Sequence, residues 1–192
     1  MIRNYLQGAI KQAMIIPFLV ILIGCSSVSN SAYLHPEFDM AAVRKVAVVT
    51  FANYSKEPMA GEKVTNMFFT QLLSTGLFDV SEPARTEEII KKHKNGSGID
   101  LLVMQKMKES LNIQAVFMGS VDEYSFASFG SKTYPLVTIS ARLVDCETGT
   151  ILWTSTITGD GSSSVPVLNI GAIKTLPELA QALCVRIVST IK

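Results

Sequence analysis

Three cysteines and two histidines are the side chains in this chain best suited to metal binding or nucleophilic work. Their spacing supports neither. No Cys-x-x-Cys and no His-Glu-x-x-His occurs, so the common metal-ligand spacings are missing. No Gly-x-Ser-x-Gly elbow occurs either. Gly96-Ser97-Gly98 and Gly159-Asp160-Gly161 lack the third glycine and the lysine of a phosphate loop. His93 lies in Lys91-Lys92-His93-Lys94, where neighbouring positive charge disfavours a neutral base or a metal ion. That run reads as a solvated helix face, and His35 falls in a linker. Asp122, Glu123 and Asp145 sit at strand ends and turns, where carboxylates are ordinarily solvated. These residues predict no catalytic group, no metal site, no cofactor and no small-molecule substrate.

The functional candidates are therefore surfaces. Tyr124, Phe126, Phe129 and Tyr134 crowd the two sides of Gly130-Ser131-Lys132, which puts aromatic rings near a hairpin tip. Two readings stand for them. Clustered exposed aromatics mark a partner surface; alternatively, the rings cover the end of the core.

The N-terminus carries the strongest signal. Residues 1–12 hold Arg3 and Lys11 and no acid, and residues 13–24 hold no charge at all. A basic start before an apolar run is the pattern of an export signal. A membrane-spanning helix needs ~20 apolar residues, and this run is shorter and contains Pro17. Leu22-Ile23-Gly24-Cys25 at its end resembles the lipobox of bacterial lipoproteins. That resemblance implies cleavage before Cys25 and lipid attachment to its sulfur. Ser26, rather than Asp, follows the cysteine, which implies the outer membrane, periplasmic face, in a host with two membranes.

Removal of residues 1–24 leaves 168 residues, with 15 basic against 16 acidic side chains. A balance this close to neutral argues against a nucleic-acid partner. A chain of this length forms one domain and buries ~70% of its unfolded surface, so it needs no disulfide framework. Cys146 and Cys184 read as two buried or half-buried thiols. A bridge between them, allowed in an oxidising compartment, stays open.

The elements follow from periodicity. Residues 25–43 read as a lipidated flexible tether and 44–192 as the domain. Lys45 to Phe51 is a β-branched run that suits a strand covered on both faces. Val64, Met67, Phe68 and Leu72 recur at helical spacing, and Gly76 ends the helix. Phe78 to Ser81 is a short strand. Thr86 reads as the N-cap of a helix ending near Asn95-Gly96, and a further helix runs from Ile99 to Asn112. Residues 115–129, 136–144 and 151–158 form a meander of strands, with Gly149 left-handed in the turn after Asp145. Leu176, Leu179, Ala180, Leu183 and Ile187 mark a closing helix. The order is strand, helix, strand, helix, helix, three-strand meander, helix. It predicts an α/β fold, a mixed sheet with helices packed on it.

Three segments carry a wider resemblance. They are Val46 to Asn53 with Leu73 to Val80, Ala115 to Val121, and Ala141 to Trp153. Together they resemble the CsgG family of curli production and secretion lipoproteins. Related lipoprotein domains include the LpoB type, which activates penicillin-binding proteins. The resemblance implies a non-enzymatic component of an outer-membrane assembly or secretion system. Its partners would be the membrane, through the lipid, and proteins, copies of itself among them. An alternative is an activator docking on a peptidoglycan-synthesising enzyme. Residues 125–135 and 154–170 are too short or too glycine-rich for pore-forming hairpins of ~9–11 residues per strand. The expectation is a periplasmic domain without its own pore.

Overall fold

The apolar run at Lys45 becomes the centre of the fold because every side chain from Val46 to Val49 is buried. The computed structural model describes residues 28–37, 40–93, 98–162 and 171–191. By internal contacts the chain divides into residues 1–27 with 162–172, and residues 28–161 with 173–192. All the elements named below belong to the second group. Cys25 and the leader before it lie outside the described residues.

The strands are β1 (Val28–Leu34), β2 (Lys45–Val48), β3 (Ala52–Asn53), β4 (Asp79–Val80), β5 (Ala115–Phe129), β6 (Lys132–Asp145) and β7 (Ile151–Asp160). The helices are α1 (Ala60–Thr75), α2 (Pro83–His93), α3 (Leu101–Leu111) and α4 (Leu176–Ser189). One mixed sheet runs in the order β1-β7-β6-β5-β2-β4, with β3 paired to β5. β2 is parallel to β4 and β5, and the meander β5-β6-β7-β1 is antiparallel. The mixed α/β architecture is the one the periodicity predicts.

The two faces of the sheet carry separate cores. Val46, Val48, Phe117, Leu143, Trp153 and Ile157 pack against Phe68 and Leu72 of α1 and Leu183 and Ile187 of α4. The rings of Phe51, Phe68, Phe117 and Trp153 form a chain of tilted and edge contacts 5.2–6.0 Å apart, which aromatic quadrupoles favour. On the other face Ala47, Val49, Val116 and Val144 pack under Ile90 of α2 and Met104 and Met107 of α3. Helix α1 sits unusually close to the strand loop. A Cβ on Gly61 would overlap the carbonyl oxygen of Phe51, so only glycine allows this approach. Thr65 fastens the same joint, donating to the Gly61 carbonyl at 2.6 Å and accepting from the Phe51 amide at 2.8 Å.

Two local expectations change, one strand is longer than expected, and one open question closes. Val28–Leu34, read as flexible tether, is a strand paired along its length to β7. Its polar sequence hid it, because an edge strand with exposed side chains need not show apolar alternation. Thr86 is not an N-cap: it is buried inside α2, which starts at Pro83, and its hydroxyl donates to the Glu82 carbonyl. Proline suits the first helical position because the amide it lacks has no partner there. β6 begins at Lys132 rather than Leu136, so β5 and β6 meet at a two-residue turn at Gly130 and Ser131. Finally, no bridge joins the thiols. Cys146 and Cys184 are both free and buried in different cores.

Candidate docking surfaces

The aromatic cluster is divided by a β-bulge. Val121 pairs with Ile139 and Glu123 with Thr138, so one residue of β5 is extra and the side-chain alternation flips. Tyr124 therefore joins Val121 on the α1/α4 face, where it is buried among core residues. Its hydroxyl has no hydrogen-bond partner among the described residues. Burial raises the Tyr124 pKa, while nearby Lys63, itself paired with Glu57 at 2.8 Å, pulls the other way. Phe126 is next on the same face, opposite Pro135, and is 54% exposed. Tyr134 pairs with Ala127 and is half-buried on the opposite face. Phe129 pairs with Lys132 at the tip; its side chain lies outside the described residues. Of the four positions, Phe126 is the strongly exposed ring, Tyr124 is core, and Tyr134 looks the other way.

Beyond α2 and α3, the second face of the sheet is polar. Ser120 and Ser140 donate to the two carboxylate oxygens of Asp122 at 2.8 and 2.9 Å. Ser140 is 3.1 Å from the Thr156 hydroxyl, and Thr138 is 3.0 Å from Thr158. Beside this stripe lies an open cleft of about 710 Å³, lined by Thr50, Glu87, Met118, Arg142 and Thr154 among others. Thr50 donates to Glu87 at 2.7 Å. Ser120, Ser140 and Thr50 thus act as neutral donors to carboxylates. No group of three His, Cys, Asp or Glu among the described residues could hold a metal ion. His93 lies at the end of α2, its Nδ1 3.1 Å from the Ile89 carbonyl. His35 continues β1, its amide donating to Leu152 at 2.9 Å.

The surface that sequence reading missed is the edge of β1. Among the described residues the sheet ends there, with Ser29–Leu34 exposed and Tyr33 and Leu34 still 48% and 40% accessible. The other edge, β4, offers two residues. In an antiparallel pair, residues alternate between those bonded to the neighbour and those turned outward. His35 is bonded to β7, so Tyr33, Ser31 and Ser29 are bonded inward. Asn30, Ala32 and Leu34 present their amides and carbonyls to the free edge.

A mixed α/β sheet domain with helices on both faces and, among the described residues, a β1 edge without a paired strand, and no described helix long and apolar enough to cross a membrane, defines the class. Residues 33–192 match the GNA1162-like family of lipoproteins, and the chain belongs to that family. No curated protein matches it. Among solved structures it is similar to the PelC dodecamer of Paraburkholderia phytofirmans, at 21% identity and TM-score 0.59, covering 85% of this chain and 96% of that one. Lipoprotein GNA1162 of Neisseria meningitidis superposes with TM-score 0.52 at 23% identity, covering 76% of this chain and 99% of that one. Protein CT253 of Chlamydia trachomatis gives 0.53 at 10% identity, covering 78% and 95%. At these identities the likeness establishes the fold.

The family match overturns the expected CsgG membership and leaves the curli and secretion roles drawn from that resemblance without support. The physical reason lies in where the three resembling segments fall. They are β2 with β3 and the end of α1, the first half of β5, and the β6–β7 hairpin. Their apolar alternation and turn glycines are what this sheet topology demands of any sequence, so they report fold rather than family.

Proposed function

We propose that this chain is a lipid-anchored structural subunit of the periplasmic face of the outer membrane. It works by docking to copies of itself, and turns over no substrate. Cys25 is the residue that would carry the lipid. Membership of a lipoprotein family supports the anchor, as does the lipobox pattern at Leu22 to Cys25. The observation that carries the docking role is the free edge of β1. A seven-residue strand with open backbone donors and acceptors is a template for another strand. It carries no proline, lysine or glutamate to blunt it. That the PelC fold relative is a dodecamer is in keeping with assembly from this fold. The near-neutral charge speaks against nucleic acid.

Ala32→Pro is the discriminating variant. It removes an outward-facing amide and leaves the inward ladder to β7 intact, since proline is tolerated at sheet edges. In detergent, light scattering on the lipidated wild type should give a mass several times that of one chain. Ala32→Pro should give a smaller species with an unchanged melting temperature. A wild type that stays a single chain across the accessible concentration range overturns the assembly reading.

A further inference from the structure

The strand register ties the start of β1 to the β5–β6 hairpin. Val28 stands opposite Gly159, Gly159 opposite Val137, and Val137 opposite Tyr124. These four residues form one row across the sheet. β1 and β6 are both antiparallel to β7, so they run in the same direction. β1 therefore begins at the end of the sheet where the hairpin projects. Cys25 is three residues before Val28, and three residues reach at most ~11 Å even when fully extended. Ser131 is six residues before Val137 along a regular strand and turn, ~20 Å at ~3.3 Å per residue. The hairpin tip thus extends farther beyond the Val28 row than three residues of chain can span.

From this geometry, and resting on the anchor reading above, we infer that the tip of the β5–β6 hairpin is a second membrane contact, inserting into the headgroup region of the leaflet that holds the acyl chains of Cys25. The chemistry at this end suits that layer. Phe126 is exposed on one face, Tyr134 half-buried on the other, and Lys132 stands at the turn. Aromatic rings and lysines concentrate at the boundary between acyl chains and water. Lys174 joins them, because neighbouring Ile173 lies against Gly161 and Pro135. Glu123 and Asp160 are the acids at this end; Glu123 sits one row back, opposite Thr138. The acyl chains hold the protein at the surface, and a second contact fixes its orientation there. The free parts of the strands, Ser125–Phe129 and Lys132–Pro135, are half the ~9–11 residues a span requires. The contact is therefore interfacial.

The test uses the full lipidated chain in phosphatidylethanolamine and phosphatidylglycerol vesicles, a fraction of whose acyl chains carry bromine as a quencher. Ser131→Cys takes a bimane label at the tip; Thr148→Cys takes it at the opposite end of the sheet. The native Cys146 and Cys184 are buried and stay unlabelled. The Ser131 label should shift to the blue and lose most of its emission, and the Thr148 label should lose almost none. Adding Phe126→Ser to the tip-labelled chain should reduce the quenching. If the protein floats with the vesicles while both labels stay equally bright, the hairpin contact is overturned and the anchor stands. If the protein takes up no labelled palmitate and does not float, the anchor reading fails and carries this inference down with it.

Discussion

Cys146 and Cys184 lie on opposite sides of the sheet, one beneath α3 and the other on α4 in the core that α1 and α4 cover. Each thiol is buried in apolar surroundings, which penalises the thiolate and pushes its pKa up from 9.0 to about 12. Asp145 adds to the effect at Cys146, and Lys108 partly offsets it. A raised folded-state pKa means the folded chain keeps its thiol protons where the unfolded chain gives them up. This contribution to stability is complete below about pH 9 and is lost as pH rises towards about 12. Two results should follow. At pH 8 a thiol reagent such as Ellman's reagent should modify neither cysteine in the native protein and both after denaturation. Non-reducing electrophoresis should show no change in mobility on reduction. Rapid modification of one native thiol would show that its core opens locally.

Gly149 has φ of +74° in the turn between β6 and β7. A Cβ there would make only an ordinary contact with Leu101, so space is not the obstacle. The backbone conformation is, because a β-branched residue in the left-handed region is strained by ~1–2 kcal/mol or more. Thr148→Val, by contrast, removes exposed hydroxyl contacts to Asp145 and Thr150 and should cost under ~1 kcal/mol. Chemical denaturation of the two variants should therefore place Gly149→Val clearly below Thr148→Val. Equal midpoints would mean that the turn accepts a different register.

Val48 is 1% exposed and faces the α1 side of the sheet. Val48→Asp places a carboxylate among apolar side chains with no partner, and such changes cost ~3–5 kcal/mol or prevent folding. Loss of the cooperative melting transition, or a fall of more than ten degrees in its midpoint, is the expected result. A variant melting within a few degrees of wild type would place β2 at the periphery.

What the sequence makes legible is what burial enforces. The run from Lys45, the helical spacing of Val64, Phe68 and Leu72, and the alternation of Val137, Ile139 and Ala141 all report side chains that must leave water. Each appears in the structure where its period puts it. The features that escaped are those that burial does not govern. β1 is held by backbone pairing, so its Ser, Asn and Ala residues leave no apolar signature. The bulge at Val121/Glu123 adds one residue and reverses the parity of everything after it. Counting alternate residues from Val116 therefore assigns Tyr124 to the wrong face. The choice of family failed for a related reason, since its segments were read from patterns that the sheet itself imposes.

Tyr124 and Phe126 test that bulge directly. Both rings are on the same face two residues apart, yet one is 3% and the other 54% exposed. The Tyr124 hydroxyl is buried with no described hydrogen-bond partner, and an unpaired buried hydroxyl costs ~1–3 kcal/mol. Tyr124→Phe deletes that group and keeps the ring, so it should be neutral or stabilising. Tyr124→Ala removes the ring from the core and should cost ~3–5 kcal/mol. Phe126→Ala should fall within ~0.5 kcal/mol of wild type when unfolded in urea without membranes, as surface substitutions do. The order expected for the urea midpoints is Tyr124→Phe at or above wild type, Phe126→Ala beside it, and Tyr124→Ala far below. If Phe126→Ala proves as damaging as Tyr124→Ala, the hairpin end is core, and the division of the aromatic cluster by the bulge is wrong.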